Sequence, residues 1–191
     1  MKGFAGWYRN RFVWVAVILL ATAGGAAALH NSAGAEVKPE ELQAQIASRM
    51  RTTLEQSKPE QHNHAGHAVE QAASEGSAQP AVICGVRVYG YEPSQVKALA
   101  DVRTVYGFHL CGVAEQKRPW DVAVKLAGPV IVDMSKEPPG IQVVEATADV
   151  KFVDRLREMF PAKYAELAEK EALVDSEMAD LRSRYDAAAS L

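Results

Sequence analysis

The chain has 191 residues, a formal net charge of −3 and a hydrophobic fraction of 48%. This length leaves room for one modest domain with appendages, and the hydrophobic fraction is ordinary for a protein that folds. Because lysine and arginine (21) do not outnumber aspartate and glutamate (24), the chain lacks the basic excess on which nucleic-acid binders depend, and no nucleic-acid partner is expected.

The first feature along the chain is an uncharged apolar run over residues 12–29, preceded by three basic residues: Lys2, Arg9 and Arg11. Positive charge on one flank favours an N-terminus in the cytoplasm, and the run has about the minimum length of a membrane-spanning helix. The Ala-Gly-Ala at residues 33–35 also has the small-x-small form of a signal peptidase site. Residues 1–35 therefore have two interpretations: a single-pass anchor in the cell membrane with the rest of the chain outside, or a secretory signal cleaved near Ala35.

Residues 36–56 predict an amphipathic helix. Pro39 suits a first helical turn, and the apolar residues recur at helical spacing: Leu42, Ile46, Met50 and Leu54. Because this apolar stripe is thin, we interpret the segment as a stalk helix between the membrane and the domain.

Residues 57–80 are rich in Gln, Ala, Ser, Gly, Glu and His, and they predict a flexible linker. The linker contains three closely spaced imidazoles: His62, His64 and His67. Neutral imidazole suits Cu(II), Ni(II) and Zn(II), so a metal site at these histidines is the second functional hypothesis. No other cofactor is expected.

The remaining residues, 81–191, are predicted to form the folded domain. Two strand-like runs, residues 81–91 and 101–113, carry the only two cysteines, Cys84 and Cys111. Outside the cytoplasm a cysteine pair is expected to be oxidised, so we predict a disulfide that joins the two strands. There is no C-x-x-C redox motif.

The first strand places its valines and Cys84 on one face, which is the predicted core face, whereas the second strand is apolar on both faces and should be central in the sheet. His109 shares the face of Cys111, and a Cys–His pair would suggest a nucleophile or a metal site. A disulfide would remove the thiolate, so we predict a structural role for His109, partly buried beside the bridge.

Regular alternation over residues 120–126 predicts a third, half-buried strand that buries Trp120, Val122, Val124 and Leu126. Gly128 and Pro129 are expected to end that pattern with a bulge or turn. Another short strand is predicted at residues 141–146. Short connections between these runs favour an antiparallel meander.

The C-terminal third predicts helices. Asp149 is the expected N-cap of a helix that ends before Pro161, and residues 162–187 predict one long helix. Its apolar residues follow a heptad pattern that Glu171 interrupts, so two alternatives stay open: a homo-oligomeric coiled coil through residues 162–187, or packing on the sheet of the same chain. The predicted fold class is α+β: an antiparallel β-meander with C-terminal helices, preceded by a membrane helix and a stalk helix.

Three segments carry a resemblance to a known group of proteins: residues 105–111 (VYGFHLC), 128–130 (GPV) and 157–161 (REMFP). With them, residues 81–161 resemble membrane-anchored extracytoplasmic domains of actinobacterial cell envelopes. The resemblance implies a location in the envelope and no particular activity.

The leading functional hypothesis is a non-enzymatic, membrane-anchored or secreted domain that binds a protein or an envelope component. Catalytic motifs such as G-x-S-x-G, H-E-x-x-H and the phosphate-binding loop are missing from the sequence. An enzyme would have to use strand-associated acids, of which three are candidates: Asp121, Asp133 and Glu145.

Overall fold

The computed structural model of the chain describes residues 38–57 and 80–191. Its elements are helix α1 (Pro39–Gln56), strands β1 (Ala81–Glu92), β2 (Thr104–Ala114), β3 (Lys125–Asp133) and β4 (Gly140–Val143), and helices α2 (Phe152–Met159), α3 (Ala162–Ala168) and α4 (Asp175–Ala189). The predicted membrane helix lies outside the described residues. Among the described ones, no helix has the length and apolar character needed to cross a bilayer.

The strands of the described residues form one antiparallel sheet of four, in the order β1-β2-β3-β4. The predicted α+β meander is therefore confirmed. Strand β2 lies inside the sheet, as its two apolar faces predict, and Cys84 of β1 directly faces Cys111 of β2 in the register.

Helix α1 packs on the valine face of the sheet. Its four stripe residues are at most 3% exposed and share one core cluster with Cys84, Val105 and Val130, against which the valines of β1 also pack. The predicted core face is confirmed, but the stalk interpretation is wrong. The helix belongs to the same compact unit as the strands, so the domain does not begin at residue 81.

The C-terminal helices cover the opposite face of the sheet. Near α2 and α3, Tyr106 of β2 stacks on Tyr164 with ring centroids 5.1 Å apart and meets Phe160 edge to face. Near α4, Trp120 meets Tyr185 edge to face at 5.0 Å. The domain therefore has three layers, with the sheet between α1 and helices α2–α4.

A β-bulge in β1 fits that strand to α3. The register shifts between Val88 and Gly90, which leaves Tyr89 as an extra residue. A bulge turns two consecutive residues toward one face, and both Tyr89 and Gly90 contact the layer of C-terminal helices. The ring of Tyr164 lies where a side chain on Gly90 would begin.

Replacing Gly90 by alanine is expected to lower the free energy of unfolding by about 1–3 kcal/mol, because the new methyl would overlap the Tyr164 ring, which Tyr106 holds in place. Gly128→Ala is a matched control in the same sheet, since its methyl would meet only Val143 Cγ1, at 3.9 Å. Urea denaturation of both variants measures the difference. Equal midpoints would show that the Tyr164 ring can move aside.

The predicted single helix over residues 162–187 is wrong: α3 ends at Ala168 and α4 begins at Asp175. Tertiary contacts hold the intervening segment in a non-helical path. The Arg87 guanidinium donates to the Glu171 carboxylate at 2.9 Å, and the Tyr89 hydroxyl donates to the Glu171 carbonyl oxygen. Leu173 packs where Gly85 leaves room for it. These contacts outweigh the helical propensity of the segment.

Burial raises the pKa of Tyr89 to about 12, so its hydroxyl keeps its proton and stays a donor at physiological pH. Of the heptad residues, Tyr164, Leu181 and Tyr185 are buried within the chain. The structure thus has the second alternative, packing on the chain's own sheet, and self-association through residues 162–187 stays a prediction.

The start of α2 also differs from the expectation. The helix begins at Phe152, after Lys151, so Asp149 is not its N-cap. The reason is a hydrogen-bonded turn before the helix: the Val150 N–H donates to the Thr147 hydroxyl, and the Thr147 N–H donates to the Val150 carbonyl oxygen.

Candidate functional site

The two cysteines are joined in a disulfide with an S–S distance of 2.07 Å, which confirms the predicted bridge. Because they face each other across β1 and β2, the valine face of β1 and the Val105 face of β2 point the same way, as the bridge requires. The Cys84 side chain is fully buried. This bridge fixes the two strands and leaves no thiolate for chemistry.

His109 is fully buried rather than partly buried, and its Nδ1 lies 2.9 Å from the Gly128 carbonyl oxygen. With Cys111 in a disulfide, the Cys–His nucleophile that the sequence raised is excluded. His109 therefore has the predicted structural position beside the bridge, where it links β2 to β3.

Of the other candidate site residues, the three histidines lie outside the described residues, and Asp121 and Asp133 make separate local contacts. His62, His64 and His67 lie outside the described residues, so metal binding there stays a prediction, and the described part of the chain holds no cluster of three metal-ligating side chains. Asp121 pairs with Arg182 at 3.5 Å. Hydrogen bonds from Ser135 and Lys136 hold the pKa of Asp133 below its usual range, at the far end of β3.

Side chains cover part of the outer edge of β1. The Cys84 N–H donates to the Glu55 carboxylate at 2.9 Å, and Arg184 donates to the Cys84 carbonyl oxygen at 2.6 Å. The two side chains also form an ion pair at 2.8 Å. Since Glu55 belongs to α1 and Arg184 to α4, this pair joins the two helical layers around the edge of the sheet.

The Glu55–Arg184 pair belongs to a larger set of side-chain contacts near β1. Asp180 accepts from Arg184 at 2.9 Å and lies 3.5 Å from Arg51, so four charged side chains form one network. Further along the strand, Gln43 donates to the Val88 carbonyl oxygen at 3.4 Å. Side-chain cover of this kind protects an edge strand from pairing with another chain.

The first half of the outer edge of β3 is unpaired among the described residues. The Val124 carbonyl accepts from β2, and the Pro129 carbonyl accepts from Val144 on the other side. Since backbone groups alternate along a strand, the N–H and C=O of Lys125 and Ala127 point away from β2. Strand β4 pairs only with residues 130–133, so among the described residues nothing pairs with these four groups.

The Gly128-Pro129 pair lies within β3 and does not end it, which corrects the expected bulge or turn. Proline is tolerated at residue 129 because an N–H there would point away from β2. Strand β4 does not reach this position, so no hydrogen bond of the sheet is lost. The start of the strand differs too: Trp120–Val122 form a 3-10 turn and β3 begins at Lys125.

Apolar side chains flank the open edge. The predicted half-buried strand was expected to bury four residues, but only Trp120 is buried. Val122, Val124 and Leu126 are 67%, 61% and 38% exposed. Leu126 faces Cys111 in the register, on the α1 side of the sheet. An apolar, partly unpaired edge is the usual site of strand addition or of aggregation.

Lysine on an edge strand commonly discourages pairing, but Lys125 is folded back onto its own chain. Its ammonium donates to the Trp120 carbonyl at 2.6 Å and to the Ala123 carbonyl at 3.1 Å, and it lies 5.2 Å from the centre of a Trp120 ring. The charge is therefore held by the turn before β3, and it does not project from the edge.

One groove, of about 350 Å³, lies between α1 and the loop that joins β3 to β4. Arg49 and Gln56 line one side and Pro138 lines the other, and all three are exposed to solvent. Small-molecule sites usually combine an enclosed apolar cavity with a few convergent polar groups. This open groove fits that description poorly, so the open edge of β3 is the better candidate.

No protein-family model, curated protein or solved structure matches the chain. The resemblance to actinobacterial envelope domains therefore stays a prediction, and function has to be inferred from the geometry of the described residues.

Proposed function

We propose that the protein is a non-enzymatic domain of the cell envelope that binds a protein partner by strand addition at the open edge of β3. Residues 12–29 hold it in the membrane with the domain outside. The alternative location, secretion after cleavage near Ala35, leaves the same surface available. The activity on this proposal is recognition, and no covalent step takes place.

The observation that supports this proposal is the contrast between the two edges of the sheet. Glu55 and Arg184 occupy both backbone groups of Cys84 on the β1 edge. On the β3 edge, Lys125 and Ala127 present theirs to solvent. Native proteins usually protect exposed edges, because an unprotected edge pairs with other chains. An open edge flanked by exposed apolar side chains, in a sheet whose β1 edge is partly covered, is therefore best explained by a partner.

Strand addition gives each element of this edge a role. Backbone hydrogen bonds to Lys125 and Ala127 would hold an extended segment whatever its sequence, and its alternate side chains would meet Val124 and Leu126. Those two side chains supply the apolar contact and hence the selectivity. The partner is thus expected to be an extended segment with apolar side chains at alternate positions.

A photoreactive phenylalanine analogue at Val124 tests this proposal in cells that produce the full chain. Irradiation is expected to join the chain to a protein partner, because Val124 is 61% exposed beside the open edge. Ala127→Pro should abolish the adduct. This change removes the outward N–H of residue 127 and leaves the hydrogen bonds between β3 and β2 intact. Proline is tolerated on an edge strand at such positions, where the N–H faces solvent.

The control places the same analogue at Val153 of α2, which is 38% exposed on the other face of the domain. Circular dichroism and cooperative urea denaturation of the purified variants show that each is folded. An adduct that forms equally at both sites, or that persists in Ala127→Pro, would contradict binding at the β3 edge.

A further inference from the structure

We infer that the segment which pairs with the open edge of β3 is the same edge of a second copy of this chain. This inference rests on the proposed function and names the partner of that site. Two copies would pair antiparallel about a two-fold axis, because a self-complementary contact between identical strands requires that symmetry.

The length of the open edge decides the register. On one side of it, the Ala123 N–H donates to the Trp120 carbonyl and the Ala123 carbonyl accepts from the Lys125 ammonium. On the other side, Pro129 has no N–H and its carbonyl accepts from Val144. Within the described ranges, 38–57 and 80–191, the open backbone therefore consists of two residues, Lys125 and Ala127, with Leu126 between them.

Only an axis through Leu126 satisfies this edge. Lys125 of one copy then faces Ala127 of the other, and each such pair exchanges two hydrogen bonds, as an antiparallel ladder requires. By symmetry the second pair does the same, so all four outward groups in each copy are used. The two Leu126 side chains face each other on the α1 side of the sheet.

The two neighbouring registers cannot form the same set of hydrogen bonds. With the axis through Lys125, Ala127 would face Ala123, whose backbone groups are already bonded. With the axis through Ala127, Lys125 would face Pro129, which has no N–H to donate. The edge thus complements itself in one register, and its own segment carries the apolar side chains at alternate positions, Val124 and Leu126, that the proposed partner requires.

The contact is small, and interfaces of this kind are usually weak. We therefore expect association to depend on concentration, and its detection requires a readout that captures a brief encounter. Cysteine cross-linking provides one, because the two native cysteines are bonded to each other and the second-copy geometry predicts which positions can react.

Leu126→Cys in the purified full chain is expected to form a disulfide-linked dimer under mild oxidation several-fold faster than Val124→Cys. Directly opposed residues have Cβ atoms about 5 Å apart, whereas two copies of residue 124 would be displaced by four residues, about 13 Å. Because Val124 is the more exposed of the two (61% against 38%), random collision would favour the opposite order.

The outward N–H of Ala127 tests the ladder independently. In the Leu126→Cys chain, Ala127→Pro removes an N–H that both symmetric pairs need, so it should slow cross-linking several-fold. Gln142→Ala, at an exposed position of β4, is the control and should leave the rate unchanged. Because Cys111 faces residue 126, peptide mapping without reductant confirms that Cys84 stays joined to Cys111 and that the dimer is linked between the two copies of residue 126.

Cross-linking that is equally fast at both cysteine positions, or that is unaffected by Ala127→Pro, would overturn the second-copy inference. The photo-cross-link at Val124 separates this failure from failure of the proposed function. An edge-dependent adduct with a different protein would leave strand addition standing with a foreign partner, and no adduct at all would refute both.

Discussion

A chain that begins at residue 80, without α1, is expected not to fold. Four side chains of α1 are buried against the sheet: Leu42, Ile46, Met50 and Leu54. At about 1.5–3 kcal/mol for each buried side chain, their removal costs roughly 6–12 kcal/mol, which is comparable to the net stability of a domain, about 5–15 kcal/mol. The valine face of the sheet would also be exposed to water.

Circular dichroism and urea denaturation of residues 37–191 and 80–191 test this expectation. In the full chain, Ile46→Ala should lower the free energy of unfolding by about 2–5 kcal/mol, since the side chain is fully buried. Ser48→Ala is the control, an exposed position on the same helix. Cooperative unfolding of residues 80–191 would restore the interpretation of α1 as a stalk.

The sequence predicted α1 well and misplaced it. The four-residue spacing of its apolar side chains identified both the helix, observed at Pro39–Gln56, and every residue that it buries. An amphipathic pattern shows which face of a helix is buried, but it does not show against what. The neighbouring linker separated the helix from the strands in sequence, and sequence distance was mistaken for distance in space.

The sequence did not predict the open edge of β3, for a related reason. Alternation over residues 120–126 predicts extended chain with one apolar face, and burial of that face was assumed. Whether Val124 and Leu126 are covered depends on how far the α1 layer extends over that face, and whether the edge is paired depends on where β4 ends, at Val143; no local pattern reports either. The sequence feature that could have raised the question is Pro129, which is tolerated only on an edge or at a bulge.

The prediction of one long C-terminal helix was wrong because helical propensity is high throughout residues 162–187, whereas tertiary contacts interrupt the helix in the middle. Residues 169–174 contain no proline or glycine, so nothing local ends the helix. Arg87 and Tyr89, more than 80 residues earlier, hold Glu171 in a non-helical path. The start of α4 has one sequence signal, an acidic residue at its third position. This residue is Glu177, whose carboxylate accepts from the Val174 N–H at 2.9 Å.

Reduction of the Cys84–Cys111 bridge is expected to lower the free energy of unfolding by about 3.5 kcal/mol, the chain-entropy value for a closed loop of this length, because the cysteines are 27 residues apart in sequence. For a domain of this size the corresponding fall in Tm is roughly 7–14 °C. The native fold should survive, since Glu55, Arg184 and the helical layers still hold β1 in place.

Thermal unfolding with and without reductant measures this effect, and the double variant Cys84→Ala/Cys111→Ala is the control, because reductant should not shift its midpoint further. An unchanged midpoint in the native chain would mean that the bridge adds nothing to stability. Since Cys111 faces Leu126 in the register, the same samples also separate stability from recognition. Strand addition uses the backbone of Lys125 and Ala127, which the bridge does not touch, so the reduced protein should keep its edge-dependent photo-cross-link at any temperature below its new midpoint.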